Sequence, residues 1–315
     1  MSPIATHADF PVPISRAGCM SYLVHLMADG YSYWHSGSVH FEKAEGFVQK
    51  MRMLYPIEAT PGQRAVAKSK GRANVQLVIF PDQARPGFLV WYLLATRGKP
   101  FVDPLTGEVQ EEKGFSDLIF QREKMKDGRK IALTWCSHYR LLQHQPARDP
   151  NKRKSQKRVW TWRLTDETYR QWALRLADVA KAGLGPLRRE IKPLLISPMF
   201  SGVREDIARL GDLAEAAYRK QHKNSTYISP LPVVLPYLAK VPVFRDATLL
   251  SLVALLRQQE ADAKVQAMAA VKSLQSGETE PPNRFSQSLF LDREKVDGVD
   301  QEEGGVGPSQ AHPGD

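Results

Sequence analysis

One stretch constrains the fold of this chain more than any other: Lys130 to Leu164, which reads KIALTWCSHYRLLQHQPARDPNKRKSQKRVWTWRL. Apolar and polar residues alternate at both of its ends, and a period of two is typical of β-strands with one buried face. Basic residues dominate the segment between these ends. The sequence therefore predicts two β-strands joined by a long cationic loop.

The alternation assigns the side chains of these strands to two faces. In the first strand, the buried face is predicted to hold Ile131, Leu133, Trp135, Tyr139 and Leu141. In the second strand, Trp160, Trp162 and Leu164 share a face, so we interpret the tryptophans as core residues. When the apolar faces pair, His138, Arg140 and Arg163 cluster on the solvent side, where we predict that they bind the partner.

The loop between the strands is a candidate for phosphate binding. It contains one acidic residue, Asp149, and six basic ones: Arg148, Lys152, Arg153, Lys154, Lys157 and Arg158. Such a density of positive charge attracts polyanions and releases their counterions. The alternative is a solvated connection, because a run of like charges often does no more than keep a loop in water.

A second candidate is a short helix that the sequence marks at both ends. The segment TPGQ, which begins at Thr60, predicts a capping box with proline in the first turn, and Gly71 ends the helix. Arg64 and Lys68 are four residues apart and share a face, and Arg72 follows the helix. These three cations are predicted to contact phosphate, with an ordinary exposed cationic helix as the alternative.

Charge is distributed unevenly along the 315 residues. The formal net charge is +10, yet residues 277–315 contain nine acidic and three basic residues, a net charge of −6. The rest of the chain therefore carries +16. A basic body predicts an anionic partner, and the acidic tail is expected to compete for the same surface.

Composition also excludes several classes of protein. Cys19 and Cys136 are the only cysteines, which predicts a reducing compartment and neither a zinc site nor a disulfide framework. The N-terminal residues contain no continuous apolar stretch suited to a secretory signal. The longest apolar runs, such as Leu249 to Leu256, fall short of the roughly 20 residues that cross a bilayer. We expect a soluble, cytoplasmic protein that does not bind membranes.

The order of the predicted elements gives the fold class. From Cys19 to Gly183 the patterns indicate strand, helix, short helix, two strands, helix, two strands and helix. The predicted bounds are a strand Cys19–Ala28 closed by Asp29-Gly30, a helix Phe41–Tyr55, central strands Val75–Phe80 and Phe88–Ala95, a helix capped by Ser116, and a helix Thr165–Ala182. Adjacent strands joined by loops indicate an α+β domain with a mixed, mostly antiparallel sheet and flanking helices.

The two ends of the chain differ from this domain. We predict a leader at 1–18, the α+β domain at 19–183, an α-helical region at 184–275 and a disordered acidic tail at 276–315. The helical region contains a proline-punctuated connector and a long helix at 246–274. The polar second half of that helix is predicted to project into solvent or to form a homo-oligomer with another copy of the chain.

No complete catalytic signature occurs in the sequence. It has no Gly-rich phosphate loop, nucleophile elbow, zincin motif or paired-cysteine site, and neither a cofactor nor a metal is predicted. Tyr31 and Tyr33, in the aromatic segment YSYWHSG, are the residues that could attack a phosphodiester. Packing in the sheet and stacking on unpaired bases are the alternatives for these rings.

A metal-dependent nuclease is the main rival hypothesis. Asp82 follows Pro81 at the end of a predicted strand, and Glu111 and Lys113 come 29 and 31 positions later, in a Glu-x-Lys arrangement. In that chemistry the carboxylates hold a divalent cation and Lys113 stabilises the developing charge. Solvated loop charges explain the same residues, because Glu111 is predicted to lie in a loop.

Three segments carry a resemblance to known sequences: YSYWHSGSVHFEKAEGFVQKM, GRANVQLVIFP and VWTWRLTDETY. They resemble uncharacterised proteins carried by plasmids and integrative conjugative elements of proteobacteria, over the α+β half of the chain. The motifs assign no chemistry to any residue. The resemblance therefore implies only a setting in a mobile genetic element.

Together these patterns predict a nucleic-acid-binding protein, with DNA as the preferred partner, that acts in the maintenance, replication or transfer of a mobile element. The predicted contacts are mainly to phosphate, so they position the protein more than they specify sequence. The alternatives are the metal-dependent nuclease and a non-enzymatic adaptor that binds other proteins through its long C-terminal helix.

Overall fold

Helices and two antiparallel sheets build the fold, which confirms the predicted α+β class. The computed structural model describes residues 10–100, 102–103, 105–109, 114–145, 158–223, 226–238, 242–245 and 247–275. All of them belong to Met1–Glu278, one of the two units into which the chain divides. The predicted acidic tail and the first half of the predicted leader lie outside the described residues.

The first sheet has four strands. They are β1 Tyr33–His40, β2 Val75–Pro81, β3 Phe88–Ala95 and β4 Lys126–Asp127, in the order β2-β3-β1-β4. β2 and β3 form an antiparallel hairpin with Val75 opposite Ala95, as the apolar runs predicted. The expectation that both are central strands is wrong for β2, which in the described part of the chain pairs with β3 alone. Its side chains are nevertheless buried, because packed elements cover both of its faces.

A helix stands where the sequence predicted a strand at Cys19–Ala28. The helix α1 spans Arg16–Ala28, and the Ser15 hydroxyl oxygen accepts a hydrogen bond from the Gly18 N–H at 3.1 Å. Its buried residues follow helical spacing: Gly18, Cys19, Met20, Leu23, Leu26 and Met27. Asp29-Gly30, expected to close a hairpin, instead ends this helix. A short apolar run fits either structure, and here packing against the sheets favours the helix.

The basic stretch forms a second sheet, of three strands. They are β5 Leu133–Trp135, β6 Tyr139–His144 and β7 Val159–Leu164, in sequential order. The single first strand expected from the alternation is wrong, because a tight turn at Cys136 and Ser137 divides it. The φ angles of these residues are 45° and 59°. Residues other than glycine rarely adopt this left-handed region, so no residue of the sequence indicates a turn here.

Three helices share a core with the second sheet and with α1. They are α5 Asp166–Lys181, α6 Leu184–Leu195 and α7 Ser201–Gln221. Thr165 caps α5, since its hydroxyl oxygen accepts from the Thr168 N–H at 3.3 Å. Trp135 and Trp162 meet edge to face in this core, 6.4 Å apart, and the Trp162 indole donates to the Met20 carbonyl at 2.9 Å. Both tryptophans are core residues, as predicted.

The opposite face of the first sheet is covered by α2, Ala44–Leu54, and by the start of α8, Leu249–Gln275. A 3-10 turn at Phe41–Lys43 precedes α2, so the predicted helix at this place is confirmed with a different first turn. Leu249 and Val253 are the buried residues of α8, and its later turns are mostly exposed. Among the described helices, none combines the length and the apolar character that crossing a membrane requires.

Candidate nucleic-acid interface

Most of the predicted phosphate-binding loop lies outside the described residues, namely Arg148, Lys152, Arg153, Lys154 and Lys157. Arg158, its last cation, is exposed and stands directly before β7. β6 and β7 pair antiparallel, with His144 opposite Val159. The two ends of the loop therefore leave the same end of the second sheet.

Two of the arginines predicted on the solvent face are neighbours, but each has an acidic partner. Arg140 and Arg163 are opposite each other in β6 and β7. The two Nη atoms of Arg140 donate to Asp166 at 2.7 and 2.6 Å. The Asp166 side chain is 83% exposed, at the start of α5. Arg140 is thus part of an ion pair at the surface, and its charge is already compensated.

Arg163 is covered by α7, so the expectation that it faces solvent is wrong. Its Nε donates to Asp206 Oδ1 at 3.1 Å, and Asp206 is 5% exposed. The other carboxylate oxygen of Asp206 accepts from the Leu164 N–H at 3.0 Å. The hydrogen bond to Asp206 raises the pKa of Arg163. This pair attaches α7 to β7, which makes Arg163 a structural residue.

His138 lies in the turn before β6 and is partly buried. Its Nδ1 is 3.4 Å from the hydroxyl oxygen of Thr168, at the start of α5. Burial lowers the pKa of His138, so the ring is neutral at pH 7. At that pH His138 adds no positive charge to a phosphate-binding surface.

The predicted capping box is confirmed in α3, Pro61–Ser69. The Thr60 hydroxyl oxygen accepts from the Gln63 N–H at 3.3 Å, and Gln63 Oε1 accepts from the Thr60 N–H at 2.8 Å. These bonds satisfy backbone donors that a helix start leaves without partners. No residue of α3 is buried, so the helix lies on the surface.

The three cations predicted in this region differ in their surroundings. Lys68 and Arg72 are exposed. Arg64 is partly buried near the phenols of Tyr22 and Tyr31. Burial raises the pKa of both phenols, and the positive charge of Arg64 opposes that rise. Lys68 and Arg72 are therefore accessible to a phosphate, whereas Arg64 is partly covered.

A carboxylate attaches a second segment of the chain to the end of α3. Asp117 Oδ1 accepts from the Ala73 N–H at 3.2 Å, and Asp117 Oδ2 accepts from the Lys99 N–H at 2.8 Å. A Cβ atom at Gly98 would lie 2.1 Å from Asp117 Oδ2, so a larger residue at this position would displace the carboxylate. The Lys99 side chain runs beside Gly71, whose Cβ would be 3.5 Å from Lys99 Cγ. Lys99 therefore lies next to the basic residues at the C-terminal end of α3.

Asp117 immediately precedes the helix α4, Leu118–Arg122, and its carboxylate is free to bind the two other segments. Asp117 is the N-cap residue of this helix, where the sequence predicted Ser116. The Asp117 side chain makes no capping bond to its own helix and reaches the two neighbouring segments instead. Phe115, just before α4, packs on Phe120, with ring centroids 4.6 Å apart. That contact fixes the chain direction at the start of α4.

Five exposed cations lie on the two segments that Asp117 joins, and we call them the cationic patch: Lys68, Lys70, Arg72, Arg97 and Lys99. None of the five has a carboxylate partner among the described residues. Cations on the helices elsewhere do, such as Arg170 with Glu167, Lys181 with Asp178 and Arg219 with Glu215. The side chains of the cationic patch are therefore without ion-pair partners in the described part of the chain, and the Asp117 carboxylate between the two segments offsets only part of their positive charge.

Sequence reasoning missed Lys70, Arg97 and Lys99 as members of this surface. A usable indication was the scarcity of acids, because Asp82 is the only acidic residue from position 59 to position 100, against seven basic ones. The pattern of charges could not show that Asp117 joins the two segments.

Aromatic rings border the cationic patch at the same end of the first sheet. Tyr33 begins β1 and is opposite Ala95, the last residue of β3. Its ring packs edge to face on Phe115 and Phe120, each 5.2 Å away. The guanidinium of Arg97 lies over the Phe115 ring, 5.8 Å from the centroid. The patch thus continues into a surface where cations and rings alternate.

The two tyrosines considered as nucleophiles are held by structural contacts. Tyr31 is 8% exposed, and burial raises its pKa. The Tyr33 hydroxyl accepts from Arg129 Nη2 at 2.9 Å, and Arg129 also binds the Asp127 carboxylate at 2.8 Å. The described residues contain no group of three side chains able to hold a metal ion.

Asp82 stabilises the turn between β2 and β3. Its Oδ1 accepts from the Ala84 N–H at 3.0 Å, and its Oδ2 accepts from Arg85 Nε at 2.8 Å. Glu111 and Lys113, its expected partners in a nuclease, lie outside the described residues. The turn contacts account for Asp82 at this position, and the nuclease hypothesis stays a prediction.

Comparison with known proteins adds no further constraint on these residues. No protein-family model, curated protein or solved structure matches the chain. The cationic patch and its surroundings are therefore the features from which a function is proposed.

Proposed function

We propose that this protein binds nucleic acid, with DNA as its preferred partner, through phosphate contacts made by the cationic patch. The observation that carries the proposal is the gathering of five exposed cations that lack carboxylate partners among the described residues. Phosphates supply the missing negative charge, and release of counterions from the nucleic acid drives the association. Backbone contacts of this kind position a protein and specify little sequence.

The basic loop between β6 and β7 is proposed as a second contact with nucleic acid, because its sequence contains six basic residues and one acidic residue. Two separate basic surfaces would bind a longer segment of nucleic acid than either alone. The proposed setting is the maintenance, replication or transfer of a mobile element in the cytoplasm, where the free thiols of Cys19 and Cys136 stay reduced.

The test removes charge from the cationic patch without touching the core. One variant combines Lys70→Ala, Arg72→Ala and Lys99→Ala, and the control removes three paired cations through Arg170→Ala, Lys181→Ala and Arg219→Ala. Binding of labelled single-stranded and duplex DNA and RNA is measured across a salt series. We expect the patch variant alone to bind more weakly, with a slope of log K against log salt that is shallower by about 0.7 to 0.9 per lost contact.

The same assay examines the loop in a variant with alanine at Lys152, Arg153, Lys154, Lys157 and Arg158. A shallower salt slope in this variant supports a second phosphate contact. If the patch variant binds as the control does, the cationic patch is not the interface. If the wild type binds no nucleic acid at low salt, the proposed function is wrong.

We also propose a second copy of the chain as the partner of α8. The later turns of this helix carry apolar side chains that are between 52% and 67% exposed: Leu255, Val265, Met268 and Val271. Pairing of two copies would cover these side chains and place two cationic patches in one particle.

A further inference from the structure

A cleft of about 710 Å³ opens beside the cationic patch, between α2, α3, the start of β2 and the start of α4. Ile57, Val75 and Ile119 form apolar, buried walls. Ala67 of α3 and Arg72 of the cationic patch also line it. The volume lies within the range of about 300 to 1,000 Å³ that is typical of sites for small organic groups.

Polar groups stand among these apolar walls. The side-chain amides of Gln63 and Asn74 line the cleft. Asn74 is 6% exposed, and its Nδ2 donates to the Arg64 carbonyl at 3.1 Å, which fixes the amide in place. Gln63 Oε1 already accepts from the Thr60 N–H, so the Gln63 Nε2 donor and the Asn74 Oδ1 acceptor are the groups that remain to pair with the edge of a heterocycle. The cleft therefore offers apolar surface for the faces of a ring and polar groups for its edge.

The cleft is lined by two basic and two acidic side chains, and the cationic patch begins at its edge. Of its two carboxylates, Glu58 forms an ion pair with Arg52, and Asp117 accepts two backbone N–H groups. Arg72 belongs to both the cleft and the cationic patch, and with Lys70 it lines a smaller hollow of about 420 Å³ along α3. The lining of the cleft is therefore balanced in charge, and the positive potential beside it comes from Lys70 and Lys99 of the neighbouring cationic patch.

We propose that the cleft binds one unpaired base of a nucleic-acid strand whose neighbouring phosphates contact Lys70, Arg72 and Lys99. The inference rests on the proposed function and deepens it by naming single-stranded nucleic acid as the substrate class. A base in a duplex is stacked on both faces and paired at its edge, so it must leave the helix before it can enter a cleft. A single strand presents its bases without that cost.

Two phenylalanine variants of α3 separate the cleft from the charges. Ala67→Phe places a ring in the cleft, on a helix that has no buried residue to disturb. Ala65→Phe is the matched control, because Ala65 is exposed on the same helix and lines neither the cleft nor the hollow. Each protein is titrated, across a salt series, with a single-stranded oligonucleotide and with its abasic counterpart, which has the same phosphates and sugars without bases.

We expect the wild type and Ala65→Phe to bind the complete oligonucleotide about tenfold more tightly than the abasic one. Ala67→Phe should lose this preference and keep the salt slope, since its cations are unchanged. The wild-type comparison stands by itself even if a variant folds poorly. Equal affinity of the wild type for both oligonucleotides, or an unchanged preference in Ala67→Phe, overturns the inference. In that case salt-dependent binding of both oligonucleotides leaves the proposed function intact, and its absence refutes both proposals.

Discussion

The ion pair of Arg163 with Asp206 joins β7 to α7 at a point with little free space. Asp206 is 5% exposed and accepts from both Arg163 and the Leu164 N–H. A Cβ atom at Gly202, one turn earlier in α7, would lie 2.6 Å from Arg163 Cγ. Removing one member of such a pair leaves the other charge poorly solvated, which destabilises the fold more than the pair stabilises it.

We therefore expect Asp206→Asn to lower the free energy of unfolding by about 3 kcal/mol. The surface pair supplies the control, because Asp166→Asn should change it by less than about 1 kcal/mol when the carboxylate is mostly in water. Urea denaturation of the wild type and both variants measures the two differences. Similar losses in the two variants would contradict a structural role for Arg163 that Arg140 does not share.

At the scale of the elements, the five-residue helix α4 begins next to the carboxylate that joins the two segments of the cationic patch. Asp117, at its start, joins the segment after α3 to the segment after β3 through Ala73 and Lys99. Coulomb attraction alone predicts that removing this negative charge would strengthen the binding of a polyanion. The geometry predicts the opposite, because Lys99 would no longer be held beside Arg72.

We expect Asp117→Ala to weaken nucleic-acid binding and to lower the free energy of unfolding by about 1 to 3 kcal/mol, through the loss of two hydrogen bonds to a charged acceptor. Glu108→Ala, which removes an exposed acid in a nearby part of the sequence, serves as the control for charge. Filter binding and thermal unfolding measure the two effects. Tighter binding by Asp117→Ala would show that charge outweighs the positioning of Lys99.

Local patterns predicted the elements whose signals are contained within a few residues. The β2–β3 hairpin, α2 and α3 occur close to their predicted bounds, since strand period, helical stripe and capping box each act over one element. α1 was predicted as a strand because its apolar run is compatible with both periods, and only its packing decides. The turn at Cys136 was missed because no glycine or asparagine marks it.

The candidate site divides in the same way. The capping box and the spacing of Arg64, Lys68 and Arg72 predicted a basic surface at α3. Lys99 belongs to that surface because its N–H binds Asp117, 18 positions away in the sequence. Arg163 does not belong to the predicted surface because it binds Asp206, 43 positions away. Contacts over such distances depend on how elements pack, and a single sequence does not state them.

At the scale of the whole molecule, α8 is a long helix whose later turns are mostly exposed. Its first turns pack on α2 through Leu249 and Val253, but from Arg257 to Ala269 nearly every side chain is exposed. An isolated helix of that length is only marginally stable in water. A second copy that covers Val265 and Met268, each 67% exposed, would supply the missing packing.

Light scattering after size exclusion tests this association. We expect the wild type to elute with the mass of a dimer, and Val265→Lys combined with Met268→Lys to elute as a monomer because lysine does not tolerate apolar burial. Gln259→Lys combined with Gln266→Lys adds the same charge at exposed polar positions of the helix and should stay dimeric. A monomeric wild type at concentrations of tens of micromolar or more would rule the association out.

The bond from Asp117 to two distant segments also has a thermodynamic consequence. Lys68, Lys70 and Arg72 precede the β2–β3 hairpin, while Arg97 and Lys99 follow it, so the five charges come together only when the chain is native. A polyanion then binds the native state in preference to the unfolded one, and its binding energy adds to the stability of the fold. The unfolding temperature therefore rises with the concentration of the polyanion, and the protein is most resistant to heat where this partner is most abundant.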